Sequence, residues 1–561
     1  MDLELLLTHA DDRRPTLEQG LPLDSTLNQA RPAASEMPTH LWDSGGDPND
    51  LPKQRWGVVV PEGPAGDRLL ALIEPLRRLR QEGQGAPVRL YRAPPHLDSA
   101  RAIAWKKQVL HDEAISEAQQ PRYLLMLGDL DQLSLEMQQA LGSDGFIGRL
   151  AFSRDADYEA YVEKVLRSEK SPAAAQARTL FYTAHDGTRA TSLGYQALIS
   201  PSIKSCRERQ SRGEFLSRDI LEVGDPEDAS VDKLLEQAAA PGPSVLFSLS
   251  HGLGAPRQGW RSMDEQHALQ GAMSLGRGEQ LDASALANRP FLPGGLWFYL
   301  ACFGAGTPSR SAFHTWLSQL RDAGQFSGPL QGLLASLPRE GERPFVAALP
   351  KAVLANPQGP LAVIGHMDLA WSYSFQDQGA VTKSRPSRFQ GLLHSMVAGR
   401  RAGVGLDALW RFFRDANNEL TTLYEQQEEA QRKGSSNPVN LSQRAHLWML
   451  RQDLAGYVLL GDPAVQLPVP AARPRPEVKA ASTQALAAMM LGMQVATPES
   501  LPNADVMTEA VRALLAGAES PKDIAKRAGV SLKELRHWEQ VFTEAGRAAL
   551  EQLRSRTNPL S

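Results

Sequence analysis

The sequence predicts an α/β protein built from two parallel-sheet halves covered by helices, followed by a small all-α C-terminal domain. Three observations carry this. Short runs such as Trp56-Gly-Val-Val-Val60, Tyr123-Leu-Leu-Met-Leu127, Ser244-Val-Leu-Phe-Ser-Leu249 and Leu296-Trp-Phe-Tyr-Leu300 are mostly apolar on both faces, as strands buried between helix layers must be. Segments with helical spacing alternate with these runs, and that alternation implies parallel strands. A proline-rich stretch from Pro468-Val-Pro-Ala-Ala-Arg-Pro-Arg-Pro476 onward then sets off a last segment rich in helix signals.

Along the chain, residues 1–53 are polar and rich in Pro, Asp and Gly, and read as a poorly ordered N-terminal arm with at most one short helix. Residues 54–220 make the first α/β half. Its first helix is expected over 67–81, because Leu69, Leu72, Ile73, Leu76 and Leu79 share a face. Further strands are expected near 87–92, 123–127, 148–152 and 179–183. Residues 221–468 make the second half, with strands near 245–250, 296–301, 361–366 and 457–460. The linker occupies 469–500 and the helical domain 501–561.

The bulk properties exclude several function classes. The chain has 561 residues, 42% hydrophobic and 22% charged, with a formal net charge of −4. That composition is ordinary for a globular protein, and the charge is wrong for coating nucleic acid or anionic lipid. Two cysteines, Cys206 and Cys302, cannot form a disulfide framework or a cysteine-rich zinc site. The start, Met-Asp-Leu-Glu-Leu-Leu-Leu, lacks the basic region of a signal peptide, and no uncharged run is long enough to span a bilayer. A cytoplasmic address, where a free thiol stays reduced, and no membrane partner are therefore expected.

Two residues stand out chemically. His251 ends the run Ser244–Ser250 and Cys302 ends the run Leu296–Ala301, and a glycine follows closely in each case: Gly252, and Gly304 with Gly306. Open α/β sheets place active sites at the carboxyl ends of strands. Cys302 is thus a candidate nucleophile and His251 its general base, later the acid that protonates the leaving amine. Gly252 has no side chain to shield its amide, so the amides of Gly252 and Cys302 are the candidate oxyanion hole. The bland alternative is a buried core cysteine and a strand-end histidine. The matched contexts favour catalysis, and a histidine about 50 residues before a cysteine is also the caspase-type spacing. No close metal-ligand spacing or phosphate-binding loop is present, so neither metal nor cofactor is expected.

The stretches Leu246-Phe-Ser-Leu-Ser-His-Gly252 and Phe298-Tyr-Leu-Ala-Cys-Phe-Gly304 resemble the His and Cys motifs of the gingipain-like peptidases, within the caspase-like group of cysteine proteases. Ile147-Gly-Arg-Leu-Ala-Phe152, Asp157-Tyr-Glu-Ala-Tyr161 with Glu169, and Tyr457-Val-Leu-Leu-Gly-Asp-Pro463 are similar to further stretches of that group. The resemblance covers roughly residues 54–468. It implies a caspase/gingipain-like fold and cysteine endopeptidase activity on protein or peptide substrates. It also implies a preference for Arg or Lys before the scissile bond. Such a preference needs a buried acid, for which Asp186 and Asp368 are the candidates. A bacterial defence role is an analogy only. The alternatives are a non-catalytic DNA-binding or scaffold protein on the same fold, and a thiol acyltransferase.

In the last segment, Ser520 and Ser531 suit helix N-caps, Pro521 a first helical position and Gly529 the turn between two helices. The segment resembles transposase-type helix-turn-helix modules. Lys533, Arg536 and Trp538 are its candidate DNA- or partner-binding residues. From Leu501 onward nine basic residues face eight acidic ones, a balance that favours an adaptor over a DNA reader.

Overall fold

The computed structural model describes residues 2–17, 19–22, 25 and 46–470, apart from 175, 225–230, 277, 325–326, 340 and 378–381. It also describes 510–511, 513, 520–532 and 535. The chain divides into two compact units, Met1–Ala472 and Arg473–Ser561. No helix among the described residues is long and apolar enough to cross a membrane.

The first unit is a helix-covered α/β structure around one ten-stranded sheet. Its strands in chain order are β1 Trp56–Pro61, β2 Arg89–Ala93, β3 Tyr123–Leu127, β4 Phe146–Leu150, β5 Ala177–Thr183, β6 Ser217–Glu222, β7 Ser244–Leu249, β8 Leu296–Leu300, β9 Ala362–His366 and β10 Tyr457–Gly461. In space they run β2-β1-β3-β4-β10-β9-β8-β7-β5-β6. Every pairing is parallel except β9 with β10. The sheet is therefore two parallel halves of opposite direction joined by one antiparallel seam. The sequence reading divides the halves near residue 220, but β5 and β6 lie in the second half. The last strand, β10, pairs parallel to β4 of the first. Apolar runs reveal that strands exist; which neighbour each one finds depends on pairings hundreds of residues apart.

Local chemistry explains other differences. The helix expected over 67–81 is two, Pro64–Leu72 and Glu74–Gln84, because Pro75 sits in the first turn of the second and cannot continue the first. Residues 200–211 form a helix with Ser202, Ile203 and Cys206 on its buried side. The N-terminal arm also differs from expectation. Asp2–Leu3 pairs with Leu21–Pro22, and Leu7–His9 joins the strand His251–Gly254. Leu3, Leu5, Leu6, Leu7, Leu17 and Leu21 are all buried. Enough leucine lies within this polar stretch to give its ordering an apolar return.

In the second unit, Ser520 caps the helix Pro521–Arg527 and Gly529 turns with φ +70°. Ile524, Ala525, Ala528 and Leu535 cluster with Ala510 and Val511. Lys533, Arg536 and Trp538 lie outside the described residues, as does most of the 469–500 linker.

One polar knot ties the seam strand to the first half. Asp462, fully buried just after β10, accepts hydrogen bonds from Trp56 Nε1 at 2.9 Å and Arg80 Nε at 2.8 Å. Its amide donates to the Tyr161 hydroxyl oxygen at 2.7 Å, and Arg80 also pairs with Glu169. Removing one partner of a buried ion pair strands the other's charge. Asp462→Ala is therefore expected to lower stability by about 3–5 kcal/mol, read by urea denaturation, with Asp462→Asn losing less because its amide oxygen still accepts from Trp56.

Candidate active site

Four neighbouring strands, β9, β8, β7 and β5, present their carboxyl ends side by side. The register pairs Leu249 of β7 with Leu300 of β8, and Leu249 with Thr183 of β5. Continued by two residues, the first register sets His251 opposite Cys302. Packing holds this edge rigid: Phe247 meets Phe298 edge to face at 4.9 Å, and Trp297 Nε1 donates to Ser248 Oγ at 2.8 Å.

Cys302 begins a tight turn. Phe303, the next residue, has φ +54°, uncommon for a side chain of that size. It is held there because its amide donates to Asp368 O at 2.9 Å and Ala305 N donates to His366 O at 2.9 Å. The turn aims the Cys302 thiol at the loop after β9, where Ala370 N donates to Sγ at 3.2 Å. Gly252 packs directly on the backbone of Cys302, and a Cβ there would stand 1.8 Å from Cys302 O. Only glycine allows this approach.

His251 is positioned from β5. Its Nε2 lies 2.9 Å from Thr188 Oγ1 and 3.6 Å from Asp186 Oδ2. Asp186 is itself fixed, its Oδ1 accepting from Thr188 N at 3.0 Å and Thr191 Oγ1 at 2.6 Å. Burial lowers the His251 pKa below the usual histidine value, although Asp186 and the Leu6 backbone pull it up. Burial also pushes the Cys302 thiol well up, and the nearby Asp453 and Asp368 carboxylates add to this. Burial thus favours the neutral form of both the thiol and the imidazole.

Both residues are inaccessible to solvent, each 0% exposed. The N-terminal segment comes to the same place. Leu6 O accepts from Gly252 N at 2.8 Å and from Cys302 N at 3.3 Å, the two amides proposed for the oxyanion hole. Leu6 N donates to Ala370 O at 3.4 Å, and Leu5 bridges antiparallel to Trp371.

Asp368, the other candidate acid, is 5% exposed, and both its oxygens accept backbone amides: Ala312 N at 2.7 Å and Leu369 N at 2.8 Å. His366 is fully buried nearby. Its Nδ1 lies 2.9 Å from Asp368 O and its Nε2 2.9 Å from Asp453 O. The Asp368 amide also donates to Nδ1 at 3.1 Å, so that nitrogen stands between the carbonyl and the amide of one residue. The Asp453 carboxylate, 3.5 Å from Nε2, accepts from Trp371 N and Ser374 N, both at 2.9 Å. These residues shape the loop that carries Ala370. Sequence reasoning missed Thr188, Ala370 and Asp453, which sit in unremarkable sequence contexts. It also missed the N-terminal leucines, whose only signal is the run Leu3-Glu-Leu-Leu-Leu7. No group of three or more His, Cys, Asp or Glu able to hold a metal occurs among the described residues.

No family model and no curated protein matches this chain. Among solved structures it is similar to the Arg specific cysteine proteinase gingipain R, at 14% identity and TM-score 0.42, over 74% of this chain and 78% of that one. A structure described as a protease shows 13% identity and TM-score 0.43, over 73% and 78%. A complex of Porphyromonas gingivalis RgpB pro- and mature domains shows 12% identity and TM-score 0.39, over 74% and 79%.

The His366 environment predicts a pH dependence of stability. Burial disfavours the charged ring, but the hydrogen bond and charge of Asp453 outweigh it, so the folded pKa is raised. A raised histidine pKa contributes stability that is full below the unfolded value of about 6.5. That contribution is lost as pH rises through the higher folded value. Urea midpoints of wild type and His366→Asn are expected to differ most at acid pH and to converge as the solution becomes alkaline.

Proposed function

We propose that this chain is a cysteine endopeptidase in which Cys302 is the nucleophile and His251 the general acid–base. Asp186 and Thr188 are the positioning residues of the imidazole. One observation carries the reading: the amides of Gly252 and Cys302 converge on a single peptide carbonyl, Leu6 O, beside the thiol. Two backbone donors aimed at one carbonyl oxygen are what stabilise the oxyanion of acyl transfer. The same oxygen marks where a scissile carbonyl lies.

The chemistry runs through these groups. His251 takes the thiol proton as Sγ attacks the carbonyl carbon, and the oxyanion rests on the Gly252 and Cys302 amides. The C–N bond breaks, His251 gives its proton to the departing amine, and the substrate's N-terminal part stays as a thioester on Cys302. Water then attacks the thioester, His251 receives its proton, and the C–S bond breaks to release a carboxylic acid and restore the thiol. A neutral pair at rest suits this route, because the proton moves only when substrate is in place.

Asp186 is assigned to His251, not to substrate charge, since it stands 3.6 Å from Nε2 and is otherwise bonded to Thr188 and Thr191. Asp368 is assigned to the loop it closes. The preference for Arg or Lys implied by the family resemblance therefore has no free acid among the two named candidates. A cytoplasmic setting would keep the thiol reduced, and the near-neutral C-terminal unit is proposed to dock a protein partner in preference to DNA.

Prolonged incubation with a peptidyl acyloxymethyl ketone is expected to label Cys302 and spare Cys206, located by mass spectrometry, with no adduct in His251→Ala. Equal labelling of both cysteines, or labelling that ignores His251, would sink the assignment. Asp186→Asn should lower kcat/KM by about 10²–10⁴-fold and change the pH profile. A purely structural carboxylate would leave that profile in place.

A further inference from the structure

Residues Asp2–His9 follow the path of an extended peptide through the site. Leu5 bridges antiparallel to Trp371, and Leu6 N donates to Ala370 O. The Leu6 carbonyl sits on the two oxyanion donors. Leu7 onward then pairs with the strand His251–Gly254, in register Leu7 with Gly252 and His9 with Gly254. Backbone pairing of this kind is how sheet edges hold peptides, with side-chain enclosures supplying specificity. The Leu6 side chain is enclosed, the residue only 3% exposed. The Glu4 carboxylate meets Arg189 Nε at 2.9 Å, one residue from Thr188 of the imidazole support.

We infer that Glu4-Leu5-Leu6-Leu7 is a substrate-like cover of the chain's own active site, and that the cleft is built for extended peptides with leucine before the cut and an acidic residue two places earlier. This rests on the protease reading above. The carbonyl in the oxyanion hole belongs to the residue before the scissile bond, so Leu6 occupies that position and Leu7 follows the bond. A buried cation at Leu6 would need a paired acid, and both Asp186 and Asp368 are bonded elsewhere. Arg189 is the residue that reads the acidic position.

Geometry also explains why such a strand persists as a cover. Attack of Cys302 on Leu6 would break the Leu6–Leu7 bond, with the His251 proton going to the Leu7 amine. Leu7 is pinned beside Gly252, and its carbonyl accepts from Thr16 N at 2.9 Å. The freed amine stays next to the thioester, so it can return its proton to His251, attack, and reform the peptide bond as the thiol leaves. A tethered cover lowers reactivity toward outside peptides in proportion to the fraction of time it is bound.

The test uses the full chain and two variants, Leu6→Glu and the milder Glu4→Ala. Iodoacetamide labelling is followed at both cysteines, and Cys206, buried in its own helix, reports unfolding. Labelling of Cys302 is expected to rise about tenfold or more in Leu6→Glu and less in Glu4→Ala, with Cys206 protected. Added acetyl-Glu-Leu-Leu-amide should slow it again. In Leu6→Glu, Glu-Leu-Leu-aminomethylcoumarin should be cleaved about tenfold faster than the Glu-Leu-Arg version, and Arg189→Glu should slow cleavage of both, since both carry the acid that Arg189 reads. Unchanged Cys302 labelling in both variants would overturn the cover. Labelling of both cysteines in both variants would also overturn it, making the segment part of the core. Faster cleavage after Arg would overturn the leucine assignment. Cys302 unmasked and blocked by the peptide, with no cleavage of any substrate, would sink the protease reading and leave the cover standing.

Discussion

The parallel register between β7 and β8 is the constraint on which the site depends. Leu249 faces Leu300, and each chain leaves the sheet within two residues, so imidazole and thiol emerge from adjacent strand ends with no long loop to position them. Gly252 lets the two backbones close to a distance no side chain would permit. The result is a pair of amides that point at one oxygen. Strands bonded on both sides do not shift easily, which gives the site precision that loops alone would lack.

Around that edge each of three buried carboxylates accepts at least one backbone amide. Asp186 binds Thr188 and Thr191, Asp368 binds Ala312 and Leu369, and Asp453 binds Trp371 and Ser374. Each carboxylate closes a turn next to a chemically important atom. In a low-dielectric interior a satisfied polar group rigidifies its surroundings, whereas an unsatisfied one is costly. Carboxylates near a proposed active site thus belong to its scaffold as readily as to substrate recognition, and their hydrogen bonds decide which.

Burial of Cys302 and His251 has a single electrostatic consequence: both charged forms are disfavoured, so the covered site holds its proton on sulfur. Leu6 contributes to that burial through its backbone bonds to Gly252, Cys302 and Ala370. In the proposed reading, latency and peptide recognition draw on the same hydrogen bonds.

The sequence by itself determined the α/β class, the alternation of strands and helices, and the two strand ends that carry His251 and Cys302. Those properties follow from apolar runs, local periodicity and glycine placement, which are written over a few residues. Ser520, Pro521 and Gly529 likewise announced a cap, a first turn and a helix end. Tertiary structure alone decided the rest. The order of ten strands, the insertion of β10 at the seam, the Asp186–His251 approach and the descent of Leu3–Leu7 onto the edge that carries His251 and Cys302 all join residues tens to hundreds of positions apart. Their partners are chosen by how buried surfaces and backbone donors are satisfied together, and no local pattern records that choice. A polar arm with a few leucines looks disordered until a sheet edge and two unpaired amides are there to receive it.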